Sequence, residues 1–528
     1  MVVAQEPLAT DVGVTVLKAG GNAVDAAVAV AFALAVTHPT AGNLGGGGFL
    51  LARFADGRNT FIDFREAAPL AASRDMYLDA NGRLTNGSLV GWRASGVPGT
   101  VRGLELAHRK YGRKTWASLI EPAAELAAKG YQLSFAEARS ICANAKLLDR
   151  FAESKRIFLK PGGCPEAGEW LAQPELAETL RRIATNGADE FYSGATAQRL
   201  AAEMKAHGGL ITLEDLKSYR AIEREPLRGR YKGYELLTAP PPSSGGIAML
   251  QMLAMLDGSG YEKSGAGSAA SAHYLAEVMR RAYADRAEFL GDGDFVHVPV
   301  RGLLNPAYLA KQRASIDPQH ASSSAVVRHG DAPAYESTET THFNVIDAEG
   351  NAVALTYTLN GGYGSGVTVP GLGVLLNNEM DDFAAKPGEP NLFGLVQGEA
   401  NAIAPRKRPL SSMTPTIVTR GGKLAMVLGA PGGSRIINGV LQVFLNLVDF
   451  EMDVQQAVDQ PRLHHQWKPD KLYLERGFSP DTIALLRAMG HTVEPNAGGV
   501  GSVEALVVSD GWVQGAQNGR SAGKAAGY

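Results

Sequence analysis

The sequence is poor in features that would address or brace the protein from outside its own core. Two cysteines, Cys142 and Cys164, in 528 residues exclude a disulfide framework and a four-thiolate zinc site, and leave open a single bridge between them. There is no basic excess: 51 Lys and Arg against 54 Asp and Glu leave a formal net charge of −3. No long-range field therefore attracts a polyanion, and nucleic acid is not an expected partner. The longest apolar run, residues 26–36, follows Asp25 and is too short to cross a bilayer, so it reads as a buried helix and no membrane span is expected. The opening Met-Val-Val-Ala-Gln-Glu lacks the charged segment and apolar stretch of a secretory signal.

Several chemical motifs are missing as well. Gly45 to Gly48 has no Lys-Ser/Thr after it, and no Gly-x-Gly-x-x-Gly joins a strand to a helix with an acid downstream, so nucleotide binding is not expected. There is no Gly-x-Ser-x-Gly elbow to present a hydrolase serine. His464 and His465 are adjacent, so their rings diverge and suit a structural role better than chelation. No metal and no cofactor is expected.

What remains is a folded globule, 45% hydrophobic and 20% charged, long enough for about three or four domain-sized units or fewer large layers sharing one core. Asn22 stands where it can cap a helix that His38-Pro39 ends. Residues 49–54 and 60–64 read as a hairpin, with Arg65 at the end of its second strand. Amphipathic helical stretches follow at 100–110, 115–129, 173–184, 195–207, 247–256 and 272–289. Residues 316–337 lose all apolar periodicity and predict an exposed linker. Beyond it the pattern turns to sheet. Residues 343–347 and 352–360 form a hairpin whose second arm carries Ala354, Thr356, Thr358 and Asn360 as one polar face. Strands are expected at 373–377, 415–419, 424–428, 504–509 and 512–515, and helices at 434–446 and 480–489. An α+β sandwich accommodates this order.

The junction Glu339-Thr340-Thr341-His342 joins the linker directly to that hairpin. If the chain is cut before Thr340, the threonine gains an α-amine with a pKa of about 7.7–8.0, able to take its own hydroxyl proton near neutrality. Nucleophile and base then share one residue.

In this setting the sequence resembles the gamma-glutamyltransferase (gamma-glutamyltranspeptidase, glutathione hydrolase) family of N-terminal-nucleophile hydrolases. The resemblance rests on Gly20-Gly21-Asn22-Ala23-Val24-Asp25-Ala26, Asn43-Leu44-Gly45-Gly46-Gly47-Gly48-Phe49, Asp63-Phe64-Arg65-Glu66, Pro240-Pro241-Pro242-Ser243-Ser244-Gly245-Gly246, Thr340-Thr341-His342, Asn377-Asn378-Glu379-Met380-Asp381-Asp382-Phe383, Pro409-Leu410-Ser411-Ser412-Met413 and Pro431-Gly432-Gly433-Ser434-Arg435. It implies a four-layer αββα sandwich. It also implies a precursor that cuts itself between Glu339 and Thr340, leaving a helix-rich large subunit (1–339) and a sheet-rich small subunit (340–528) intertwined in one globule. The implied reaction cleaves the γ-glutamyl amide of glutathione and related compounds through an acyl-enzyme, passing the group to water or to an amino-acid or dipeptide acceptor.

Residue by residue, the resemblance makes Thr340 the nucleophile and Thr358 the threonine that sets it, with Gly432 and Gly433 supplying the oxyanion hole. Arg65, Ser411 and Ser412 become the clamp for the substrate carboxylate, and Asn360, Glu379 and Asp382 the site for its ammonium. Residues 386–398 resemble a lid loop in which Phe393 stands where a tyrosine often shields the site, and Asn518-Gly519-Arg520 stands where the family usually has Asp-Pro-Arg. Kinship implies a periplasmic or secreted location. Two alternatives remain open at this point: an acylase of the same superfamily acting on glutaryl side chains, against which Glu379 and Asp382 argue, and an unprocessed scaffold.

Overall fold

The chain builds two antiparallel sheets and covers each with helices; the computed structural model describes residues 1–329 and 341–528. The Glu339–Thr340 junction lies outside the described residues. The strands of the two sheets are β1 (Val2–Ala4), β2 (Gly47–Arg53), β3 (Asn59–Asp63), β4 (Ile222–Arg224), β5 (Leu227–Tyr231), β6 (Tyr234–Thr238), β7 (Thr341–Ile346), β8 (Ala352–Thr358), β9 (Thr416–Arg420), β10 (Lys423–Gly429), β11 (Glu504–Ser509), β12 (Trp512–Gln517) and β13 (Lys524–Ala526). The first sheet runs β13-β1-β7-β8-β2-β3-β4 and the second β12-β11-β10-β9-β6-β5. The helices that cover them are α1 (Pro7–Lys18), α2 (Ala23–Thr37), α3 (Thr100–Tyr111), α4 (Trp116–Lys129), α5 (Pro174–Asn186), α6 (Gly245–Leu256), α7 (Ala269–Phe289) and α8 (Arg435–Val448).

Alternation along the strands sets the layering. Phe49, Leu51 and Phe61 meet Leu237, Ile417, Val427 and Leu506 in a core between the sheets. Their neighbours Leu50, Ile62, Phe343 and Leu355 face outward, into the core shared with the helices of residues 7–186. Leu236, Val418 and Leu428 do the same on the other side, against α6, α7 and α8. The result is the expected αββα sandwich. Strands from before and after residue 330 interleave in the first sheet and lie side by side in the second, so neither portion holds a complete core by itself.

Local rules account for the elements that were legible. Asn22 caps α2 through a reciprocal capping box with Asp25, at 2.9 Å each way, and every residue of that helix is buried. The expected helices at 434–446 and 480–489 are Arg435–Val448 and Pro480–Ala488.

Two expectations need correction. The described residues before 330 supply six strands to the two sheets, where two were expected; the additional ones are short, and β5 and β6 are joined by Lys232-Gly233, both at positive φ, a tight hairpin turn without an Asn or Asp to announce it. The polar face of β8 does not meet solvent, because Thr356 accepts from or donates to the His342 ring at 2.8 Å inside the sandwich, and the strand ends at Thr358, leaving Asn360 beyond it at φ 74°. The described part of the 316–337 linker is mostly exposed, as expected, and is held at intervals: Arg281 donates to Ser322 Oγ at 3.3 Å, and the Trp467 indole donates to the carbonyls of Ser324 and Val327 at 3.1 and 2.8 Å. Cys142 and Cys164 are unbonded thiols in this structure, in hydrogen-bond contact with each other.

Candidate active site

Arg65 follows β3 by two residues, and its backbone is fixed from both sides. Its amide donates to Asp63 at 3.0 Å, and the Tyr219 hydroxyl donates to its carbonyl at 2.8 Å. The guanidinium is fully buried and ion-pairs with Glu379 and Asp382, with Glu66 3.6 Å away. Its remaining donors go to the carbonyls of Pro409 at 3.1 Å and Leu410 at 3.2 Å. Glu379 to Asp382 form one 3-10 turn, which places both carboxylates on a single short element, and Asn377 accepts the Glu379 amide at 2.9 Å to hold it.

Charge and burial compete in this cluster. Burial works against the Arg65 charge, but Glu379, then Asp382 and Glu66, outweigh it and hold the guanidinium above its ordinary range. For the carboxyls burial wins. Glu379 is raised well above the usual carboxylate range, with Glu66 and Asp382 adding repulsion to desolvation. Burial likewise pushes Glu66 up to about 7 despite Arg65. Desolvation thus opposes the Glu379 anion, and Arg65 is the counterweight that offsets part of that cost.

Thr358 and Asn360 stand beside this turn. The Thr358 hydroxyl accepts the Asn360 amide at 2.7 Å, and Asn360 Nδ2 donates to the Asn378 carbonyl at 3.0 Å. Asn tolerates the left-handed backbone found here better than most residues. Its buried Oδ1 has no hydrogen-bond partner among the described residues, which leaves a neutral acceptor next to two acids.

Ser411 and Ser412 sit on the other side. Bonds from Ser244 N at 2.7 Å, Ser244 Oγ at 2.8 Å and Ser243 Oγ at 3.2 Å converge on the Ser411 carbonyl. Arg286, fully buried near the end of α7, donates to Ser244 Oγ at 3.1 Å and to Ser412 Oγ. Burial pulls its pKa down to about 9. Arg286 and Ser244 were not recognised in the sequence as parts of the site. Ser244 lay in a quoted motif without a role, and a signal for Arg286 exists in the charged pair Asp285-Arg286 beside the small Ala282 and Ala284 of a helix buried along most of its length.

Gly432 and Gly433 form the turn from β10 into α8, at φ 128° and 62°. Neither amide donates a hydrogen bond to a described residue, so two N–H groups at a helix start are available to a developing negative oxygen. The turn is tied to the clamp through Tyr283, whose hydroxyl donates to the Ser434 carbonyl while its ring packs 5.3 Å from the Arg286 guanidinium. Residues 386–398 connect the two sides. Leu392 N donates to Asp381 at 3.0 Å, and the Phe393 carbonyl accepts Gln466 Nε2 at 3.2 Å, the same side chain that accepts Ser434 Oγ at 2.7 Å.

Arg65, Thr358, Asn360, Glu379, Asp382, Ser411, Ser412 and the Gly432-Gly433 turn are linked through these contacts, whereas Glu339 and Thr340 lie outside the described residues; one difference from expectation stands. Arg65 does not touch the hydroxyls of Ser411 or Ser412; it contacts Glu379 and Asp382, so the two expected charge sets form one cluster rather than separate poles. Outside the site, His464 is buried between Asn438 and Gln466 at 2.8 Å each and His465 faces Asp470 at 3.2 Å, the structural roles expected. Arg520 pairs with Glu475, and Asn518 accepts the Arg520 amide at 2.9 Å. No helix among the described residues is long and apolar enough to cross a membrane.

Comparison with known proteins agrees with this arrangement. The sequence profile of the gamma-glutamyltranspeptidase family matches residues 9–528. The glutathione hydrolase proenzyme of Escherichia coli (strain K12) is 50% identical over 524 residues, covering 99% of this chain and 90% of that one. A cephalosporin acylase from Bacillus halodurans superposes with a TM-score of 0.90 at 27% identity, over 100% of this chain and 95% of that one. Helicobacter pylori gamma-glutamyltranspeptidase superposes with a TM-score of 0.61 at 43% identity, over 62% of this chain and 94% of that chain.

Proposed function

The chain belongs to the gamma-glutamyltranspeptidase family, and on that premise we propose that it is a self-processing threonine hydrolase and acyltransferase acting on the γ-glutamyl amide of glutathione and related compounds. The observation that carries the reading is the buried set Arg65–Glu379–Asp382 with Asn360 beside it. A γ-glutamyl group presents one α-carboxylate and one α-ammonium, and a site that desolvates both needs fixed partners of opposite sign. A glutaryl group has no ammonium and would leave the Asn360 oxygen without a hydrogen-bond donor. The 50% identity to a glutathione hydrolase, against 39% to an acylase proenzyme of Pseudomonas sp. (strain SE83), favours the same choice.

Processing precedes catalysis in this reading. The Thr340 hydroxyl oxygen attacks the Glu339 carbonyl carbon, the C–N bond breaks, and the hydroxyl proton ends on the departing nitrogen, giving an ester and a free amine. Water hydrolyses the ester, leaving residues 1–339 and 340–528. Because both sheets are built from strands of the two parts, interleaved in the first and paired at one seam in the second, the two parts stay together. Thr341 pairs with Tyr357, and Thr358 is the next residue of β8, which supports Thr358 as the partner of the new N-terminus.

In turnover the same oxygen attacks the γ-carbonyl, and the α-amine takes its proton and returns it to the leaving amine. The amides of Gly432 and Gly433 would receive the oxyanion, a contribution of about 2.7–4 kcal/mol per donor. Arg65, with the Ser411 and Ser412 hydroxyls, would hold the carboxylate. Asp382, Asn360 and Glu379 would hold the ammonium, and residues 386–398 with Phe393 would cover the acyl-enzyme until water or an amino-acid or dipeptide acceptor resolves it. Export to the periplasm or exterior belongs to the same proposal and is checked by cell fractionation.

Mass spectrometry of the purified protein, together with γ-glutamyl-p-nitroanilide and glutaryl-p-nitroanilide assays, tests the reading. Two fragments separated at Glu339–Thr340 and turnover of the γ-glutamyl anilide only are expected. A single uncut chain, or preference for the glutaryl anilide, would overturn it.

A further inference from the structure

A buried carboxyl that no step above uses lies at the end of the sandwich where β7 begins. Glu504, the first residue of β11, is fully buried, and its Oε1 accepts Gln5 Nε2 at 3.4 Å. Gln5, which follows β1, in turn accepts the Thr341 hydroxyl on its Oε1 at 3.2 Å. Three side chains from three strand ends thus form a chain, Thr341 to Gln5 to Glu504, spanning from the first sheet to the second. The Glu504 Oε2 has no hydrogen-bond partner among the described residues, so the carboxyl is held there at a desolvation cost that its single bond does not repay.

The far end of the chain leads to the glycine turn. Residues 500–504 back directly onto it: Ser502 N donates to the Pro431 carbonyl at 3.2 Å, and a Cβ on Gly432 would meet Gly501 Cα at 3.0 Å. Arg462, the cation whose charge Glu504 feels, holds the carbonyls of Val500 and Gly501 at 2.8 and 2.7 Å. Glu504 is therefore the point where the strand starting at Thr341 is registered against the support of Gly432 and Gly433. Burial raises its carboxyl well above the usual range; a protonated carboxyl still accepts the Gln5 N–H, so the link does not depend on ionisation.

We propose that Gln5 and Glu504 are positioning residues for self-cleavage, fixing Thr341 so that the bond ahead of Thr340 is presented to the Thr340 hydroxyl and to the glycine amides. The proposal rests on the cut before Thr340. Residues one position from a scissile bond set its orientation, and misplacement by about 1 Å costs on the order of 100-fold in rate.

The test is time-resolved maturation in cell-free translation, scoring conversion of the full-length chain to two fragments on denaturing gels, for the wild type, Gln5→Ala, Glu504→Ala and Glu504→Gln. The two alanine variants should mature about tenfold more slowly or worse, and Glu504→Gln, which keeps an acceptor for the Gln5 amide, should stay within about threefold of the wild type. The same substitutions in a Thr340→Ala background give a folding control by thermal unfolding; if Glu504→Ala does not fold there, Gln5→Ala decides by the same criterion. Maturation of the alanine variants at the wild-type rate overturns the proposal, as does a Glu504→Gln defect as large as that of Glu504→Ala. A wild-type chain that is never cut overturns the processing reading itself, which the wild-type lane alone reveals.

Discussion

Arg65 and Asp382 are 317 residues apart in sequence and meet as a buried ion pair with no solvent exposure of either side chain. The pair joins the end of a strand in the first half of the chain to a 3-10 turn in the second, so it ties together the two parts that the proposed cut would separate. It is also the smallest unit able to read both charges of a γ-glutamyl group.

Breaking this pair should affect stability and recognition together. Arg65→Met leaves Glu66, Glu379 and Asp382 without their cation, and removal of one partner of a buried pair costs about 3–5 kcal/mol. Urea unfolding of the single-chain Thr340→Ala form should register that loss. In the processed enzyme, Arg65→Lys keeps the charge but not the two-pronged donor geometry, and should raise the KM for a γ-glutamyl donor far more than it lowers kcat.

Thr358 should matter through its hydroxyl rather than its shape. Thr358→Val removes the acceptor for the Asn360 amide, a buried donor whose loss of partner costs about 1–3 kcal/mol, and loosens a residue held at φ 74°. Slower maturation and lower kcat are expected, with Thr358→Ser restoring most of both. Equal behaviour of the Val and Ser variants would show that the hydroxyl is not used.

Gly433 tests the oxyanion hole. At φ 62° an alanine is strained, and displacement of the turn removes aligned N–H donors. Gly433→Ala should reduce kcat by about 100- to 1,000-fold with a smaller change in KM. An unchanged kcat in a folded, processed variant would remove the turn from the mechanism.

The Glu66 carboxyl predicts the pH dependence of stability. Its folded pKa of about 7 lies above its ordinary value, so the folded state retains a proton that the unfolded state releases. The associated stability is complete below the unfolded pKa and is lost as pH rises through about 7, with a limiting slope of about 1.4 kcal/mol per pH unit. Unfolding of the Thr340→Ala form between pH 5 and 8.5 should show this decline, and Glu66→Gln should flatten it. A wild-type slope unchanged by Glu66→Gln would assign the titration to another group.

Much of the fold was legible because it follows local rules. The capped helix after Asn22, the β2–β3 and β7–β8 hairpins and the helix after Gly433 each announce themselves within a few residues. The short strands β1, β4 and β13 were not legible, since three residues carry no usable period and their pairing is decided by what lies across the sheet. Arg286 was hidden for a related reason: its partners Ser244 and Ser412 are 42 and 126 residues away, and nothing nearby reveals that a helix buried along most of its length turns one arginine toward them.

The sequence by itself determined the residue types at the site and the order of its motifs, because the threonine pair after Glu339, the Gly432-Gly433 turn and the charged groups around Arg65 and Glu379 are each encoded in a few consecutive residues. Tertiary structure alone decided that Arg65, Glu379, Asp382 and Glu66 share one buried space and that Gln5 bridges Thr341 to Glu504. Burial and separation, which set the strength of every charge and hydrogen bond, arise only when distant strands are packed against each other.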